Sequence, residues 1–143
     1  LGALIGLERL WRGHEAGIRT NLIIALSSCL FTIISVEGFR AAVGGSYNPA
    51  QVAGQIVTGV GFLGAGAILH DKTRTIGFTT AASIWLVAAI GMAVGVGMYM
   101  LALFSTAIAL LALCFLSPIS NAFQKSIRLR YQRDKKRGPR ADD

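Results

Sequence analysis

TIGFTTAASIWLVAAIGMAVGVGMYMLALFSTAIALLALCFLSPISNAFQ, residues 75–124, runs for 50 residues without an acid or a base and is interrupted near its middle by Gly95-Val96-Gly97. A helix needs about 20 largely apolar residues to cross a hydrocarbon layer about 30 Å thick. The run therefore reads as two spans and a tight turn, roughly Phe78–Val94 and Met98–Ser117. Working outward, a 30-residue gap from Ala41 to His70 holds an apolar, glycine-rich third span, Val52–Leu69, after the turn-forming Gly44-Gly45-Ser46-Tyr47-Asn48-Pro49. Asn21–Val36 is a shorter uncharged run that crosses only with thinning of the bilayer or with its ends snorkelling. Leu1–Leu7 is apolar and lacks an initiator Met, so it is expected to be the end of a span whose first half precedes this chain; no basic n-region marks a signal peptide.

Composition agrees with this segmentation. Of the 143 residues 53% are apolar and 15% charged, more apolar side chain than one small water-soluble core can bury. Disorder and a disulfide scaffold are both excluded. The charge is uneven: residues 1–124 carry six bases and four acids, and the last 19 residues carry eight bases and three acids. The expected domains are thus a transmembrane helical domain, 1–124, and a basic cytoplasmic tail, 125–143. Lys and Arg number three, one, two, zero and eight along the successive connections and the tail. By the positive-inside rule this alternation puts the C-terminus in the cytoplasm. The expected fold class is all-α, a multi-pass transmembrane helix bundle of about five spans with the first truncated and the third rich in glycine.

In that third span Gly54, Gly59, Gly61, Gly64 and Gly66 fall within 13 residues. Residues 59–64 match G-x-G-x-x-G, but no strand precedes them and no acid follows about 20 positions on, so a dinucleotide site is rejected. Gly54, Thr58, Gly61 and Ala65 form a small-residue stripe that would let a neighbouring backbone approach, and Gly91-x-x-x-Gly95 has the same spacing. The alternative is a broken or re-entrant helix whose freed carbonyls line a polar cavity.

Polar residues within or beside the spans are the candidate functional groups. Gln55 with Thr58 needs a hydrogen-bond partner or water in lipid. Thr79 and Thr80 either cap the fourth span or bond across helices. Glu8/Arg12 and Glu15/Arg19 have the spacing of helical ion pairs in a solvated loop; the functional alternative is a Glu8 carboxylate at the inner mouth of the bundle, partnered by Arg19, with Arg9 and Thr20 beside it. Trp85 reads as packing, and Cys29 and Cys114 as free thiols. His14 and His70 are too isolated for a metal site. No cofactor or enzymatic chemistry is implied. In the tail Ile119, Phe123, Ile127 and Tyr131 recur every four residues among Lys125, Arg128, Arg130 and Arg133, the pattern of an interfacial helix drawn to anionic lipid. No fold for nucleic-acid binding accompanies these bases.

GALIGLER (2–9), AGIRTNLIIAL (16–26), QIVTGVGFLGAGAIL (55–69) and GFTTAASIWLVAAIGMAVGVGMY (77–99), in this order, resemble the signatures of the MgtC/SapB family of bacterial inner-membrane proteins. The resemblance covers about Leu1 to Pro118. It implies a multi-pass membrane domain with a cytoplasmic C-terminus and a role in adaptation to low magnesium and in survival within hosts, where members act on other membrane proteins. Asn48 and Gln51 stand where members often carry an acid and an Arg. A short basic tail stands where many members continue into a folded domain, which aligns the chain with the shorter members.

Two functions follow as expectations. One is a non-enzymatic protein acting by helix contacts in the bilayer, with itself or with other membrane proteins. The other is an ion transporter or channel, Mg²⁺ being the candidate. Mg²⁺ prefers octahedral oxygen ligands and sheds water reluctantly, so a dedicated path should place carboxylates at depth. Glu8, Glu37 and Asp71 all lie near expected interfaces instead.

Overall fold

The computed structural model describes residues 1–38, 48–71 and 74–115, with the backbone alone described at 69–71, 74 and 75. Helices dominate. They are α1 (Gly2–Trp11), α2 (Ile18–Ile33) continued by a π-helical turn (Ile34–Gly38), α3 (Ala50–Gly66), α4 (Phe78–Gly95) and α5 (Tyr99–Phe115). Between α3 and α4 the expected loop is a small antiparallel hairpin, β1 (Leu69–Asp71) and β2 (Arg74–Ile76), with Leu69 paired to Ile76 and Asp71 to Arg74. The chain divides into two compact units, Leu1–Ala109 and Leu110–Asp143. The packing that follows is that of the first. In the second, Leu110–Phe115 is helical. The basic tail and the boundary at residue 124 lie outside the described residues.

Element lengths redistribute the expected spans. The run from Ile18 to Gly38 is 21 residues long because helix begins before Asn21 and the π turn carries it past Val36. It and Phe78–Gly95 are the two described helices long and apolar enough to cross a membrane. The glycine-rich α3 is one unbroken helix of 17 residues, so the broken-helix alternative does not hold for this segment.

Helix α4 is apolar on every side and is the hub of the unit. It packs most extensively on α2, then on α3, and at one end on α1. Close approach on α2 is set by glycine: a Cβ at Gly91 would collide with the Ala25 carbonyl, and one at Gly95 would stand 2.7 Å from the Thr32 Cβ. These pairs run in the same order along both helices, so α2 and α4 are parallel. On the other side of α2, a Cβ at Gly2 would be 2.7 Å from the Ala25 Cβ and one at Gly6 2.6 Å from the Ile18 Cα, the reversed order of an antiparallel α1. Gly64 meets Ala81 in ordinary contact, and Ile56, Val57 and Val60 line a cleft with Trp85, Ala88 and Met92. Helix α3 therefore also runs antiparallel to α4. The C-termini of α1 and α3 and the N-termini of α2 and α4 share one end of the unit.

Gly77 makes the hairpin-to-helix corner. It precedes α4 with φ +100°, and a Cβ there would collide with the Ala67 carbonyl, so both conformation and space call for glycine. The outer surface is strongly apolar, with Trp11 90% and Phe62 81% exposed. Apolar exposure of this extent among the described residues is the mark of a surface that meets lipid or another protein.

Candidate functional site

A charged cluster sits where α1 ends and α4 begins. The spacing Gly2, Ile5, Gly6, Arg9 puts two glycines, one aliphatic and one long cationic side chain on the face of α1 that turns inward. Two glycines bring α1 close to α2, and Arg9 lies buried at the end of that face, 2% exposed. Its Nη2 donates to Thr80 Oγ1 at 2.7 Å, tying α1 to the first turn of α4. Arg9 remains cationic there, and a hydrogen bond to a charged group is among the stronger ones. Ser83, one turn on, donates to the Thr80 carbonyl at 2.8 Å.

Glu8 is also buried, and Arg12 Nε forms an ion pair with its Oε1. Among the described residues neither carboxylate oxygen of Glu8 accepts a hydrogen bond, and Arg9 Nε has no acceptor. Asn21, fully buried, donates through Nδ2 to the carbonyls of Ala16 at 2.7 Å and Gly17 at 2.9 Å, which pins the connection between α1 and α2; its Oδ1 has no donor among the described residues. One acid stands beside two bases, so the local field favours an anion over a divalent cation. A single carboxylate also falls well short of the six oxygens Mg²⁺ takes.

The sequence candidates divide sharply. Glu8, Arg9 and Thr80 come together. Arg19 and Thr20 are exposed, and the partner of Glu8 is Arg12 rather than Arg19. Glu15 precedes α2 instead of sharing a helix with Arg19, so the i, i+4 geometry of that pair is absent. Thr79 is exposed, and neither threonine caps α4, whose N-cap is Gly77 with no side-chain cap. Gln55 and Thr58 are exposed; Thr58 donates to the Gly54 carbonyl of its own helix at 3.0 Å. Gly54, Gly59, Gly61 and Gly66 have open space where a Cβ would stand. The expectation that the α3 stripe packs on a neighbour is thus not met within the described chain, because α3 turns Ile56, Val60 and Gly64 toward α4 instead. Gly91 and Gly95, by contrast, are filled contacts.

Asn21, Ser83, Gly2 and Gly6 were not singled out from the sequence. The signal for the glycines was present, since Gly2-x-x-x-Gly6 repeats the grammar of Gly91-x-x-x-Gly95. Asn21 follows Thr20 directly, but that it caps a connection inward is a tertiary fact.

The fold and this cluster define a small helical protein with membrane-length apolar helices joined by a buried ionic and hydroxyl network at one end. The chain belongs to the MgtC family, whose model matches residues 1–122. It is 46% identical over 112 residues to the putative magnesium transporter YhiD of Escherichia coli, covering 76% of this chain and 52% of that protein. It is 42% identical over 112 residues to protein MgtC of Salmonella typhimurium, covering 78% and 46% respectively, and 42% identical over 124 residues to a Haemophilus influenzae protein. The chain spans about half the length of these relatives. No solved structure matches it.

Proposed function

We propose that this chain is a non-enzymatic, multi-pass protein of the bacterial inner membrane, with about five spans and a cytoplasmic C-terminus, that acts through contacts with partner membrane proteins in the bilayer. Its role is in adaptation to low magnesium and in survival within hosts. The names of its relatives, a putative magnesium transporter and MgtC, support the tie to magnesium. The basic tail adds attraction to anionic lipid.

One observation carries the partner contact. The close-approach glycines of α1 and α4 are used in internal packing, whereas Gly54, Gly61 and the neighbouring Thr58 and Ala65 form a small-residue face of α3 that no described residue covers. Such a face lets a second helix backbone approach in lipid, where dispersion and close fit replace the hydrophobic effect. The test is a pull-down from native membranes under magnesium starvation with wild type and Gly61→Leu. A membrane protein recovered with wild type and lost with the variant is expected; an identical set from both rejects contact through this face.

Ion transport is the second reading. It is favoured by the burial of the Glu8 carboxylate and opposed by its ion pair with Arg12 and by the neighbouring Arg9. Sustained Mg²⁺ flux into liposomes, abolished by Glu8→Gln, would establish it over the first.

A further inference from the structure

Two outward stripes end close together in depth. On α1 the face opposite Gly2, Gly6 and Arg9 carries Leu4, Leu7 and Trp11, all exposed, and Trp11 is the last residue of the helix. On α2 the face opposite the buried Asn21, Ile24 and Ser28 carries the exposed Ile23, Leu26 and Leu30, and that stripe begins at Arg19, also exposed. The helices are antiparallel, so at one end of the unit aliphatic side chains give way to an indole on α1 and to a guanidinium on α2. Gly6 lies beside Ile18, so the Trp11 backbone stands about 8 Å of helix beyond the start of α2. Side chains lean toward the N-terminus of their own helix. The Trp11 indole therefore leans back along α1 while the Arg19 guanidinium leans out past the start of α2, and the two heads converge on one level. Arg9, bonded to Thr80, lies between the two backbones in depth.

We infer that Trp11 and Arg19 bind the headgroup region of anionic phospholipid, and that the Glu8–Arg9–Thr80 network lies at this membrane boundary rather than at the bilayer centre. An indole has an apolar body and one N–H donor, which suits the boundary between hydrocarbon and headgroups. A guanidinium offers a planar donor fork that matches phosphate oxygens, while its aliphatic stem lies along apolar surface. The neighbouring cation, Arg12, is engaged by Glu8. The aliphatic stripe below each head meets the acyl chains of the same lipid. An apolar partner helix laid on α2 would leave the Arg19 charge in hydrocarbon without a counter-charge, which is costly. An anionic lipid brings the apolar tail and the counter-charge together. In the orientation proposed above this end faces the cytoplasm, where anionic lipid attracts cations to the leaflet surface.

This site rests on the membrane placement proposed above and not on partner contact through Gly61. The test uses the full chain with Trp85→Phe, which leaves Trp11 as its one tryptophan, in phosphatidylcholine vesicles containing brominated phosphatidylglycerol. Bromine near the headgroup end of the acyl chains is expected to quench Trp11 fluorescence more than bromine near their tips. Brominated phosphatidylglycerol should be selected over brominated phosphatidylcholine about fivefold, the worth of one cation at an anionic surface. Arg19→Gln should abolish that selection and Arg19→Lys, which keeps the charge, should retain it; Arg19 is exposed, so both variants fold. No selection, selection unchanged in Arg19→Gln, stronger quenching by the deeper bromine, or no quenching by lipid at all overturns the inference. Release of the chain from native membranes by alkaline carbonate would instead break the membrane placement itself.

Discussion

Arg9 and Thr80 lie 71 positions apart and meet at 2.7 Å, which makes this hydrogen bond the most informative single contact in the molecule. Removing the hydroxyl leaves a buried guanidinium short of an acceptor, a loss of about 1.5–3 kcal/mol. Thr80→Val should therefore lower the thermal unfolding midpoint in detergent, while Thr80→Ser keeps the acceptor and should stay near wild type. The glycines give a second comparison. Gly91→Val forces a side chain into the Ala25 carbonyl and should cost about 1–3 kcal/mol, whereas Gly61→Ala stands in open space and should be neutral or stabilise by up to about 1 kcal/mol through helix propensity. Equal midpoints for the two variants would contradict the packing described. From the sequence these glycines look alike, because spacing reports that a residue is small and not whether anything approaches it.

At the scale of the element, the hydropathy pattern marks the helices well and their ends poorly. Helix α2 looks short as an uncharged run, but Arg19 lies in its first turn and Glu37 in its π-helical end, so charge gaps under-count it. The hairpin was not legible either: three residues per strand are too few for an alternating pattern to show. Gly77 closes that hairpin onto α4. Gly77→Ala must hold a left-handed conformation that costs about 1–2 kcal/mol and also clash with Ala67, so a lower midpoint, larger than that of any exposed Gly→Ala in α3, is the expected outcome. Ser35 ties the π turn to the Pro49 carbonyl at 2.9 Å, joining the far ends of α2 and α3.

At the largest scale, the apolar side chains that the described residues of the first unit expose, around a small buried polar network, match lipid surroundings more closely than water. A reporter fused after Asp143 should be active in the cytoplasm and silent in the periplasm; the reverse result would invert the proposed orientation. The chain by itself determined that helices of membrane length are present, where charge concentrates and which family it belongs to. Hydropathy and charge are sums over neighbours in sequence and survive any arrangement of the helices. The Glu8–Arg12 pair was also legible, as an i, i+4 spacing. Only the tertiary structure decided that Arg9 reaches Thr80 and that α3 turns its glycine stripe away from α4. Those outcomes depend on the rotation of each helix about its axis and on which helix stands beside it. Both follow from steric fit between surfaces far apart in sequence, and no local window contains that information.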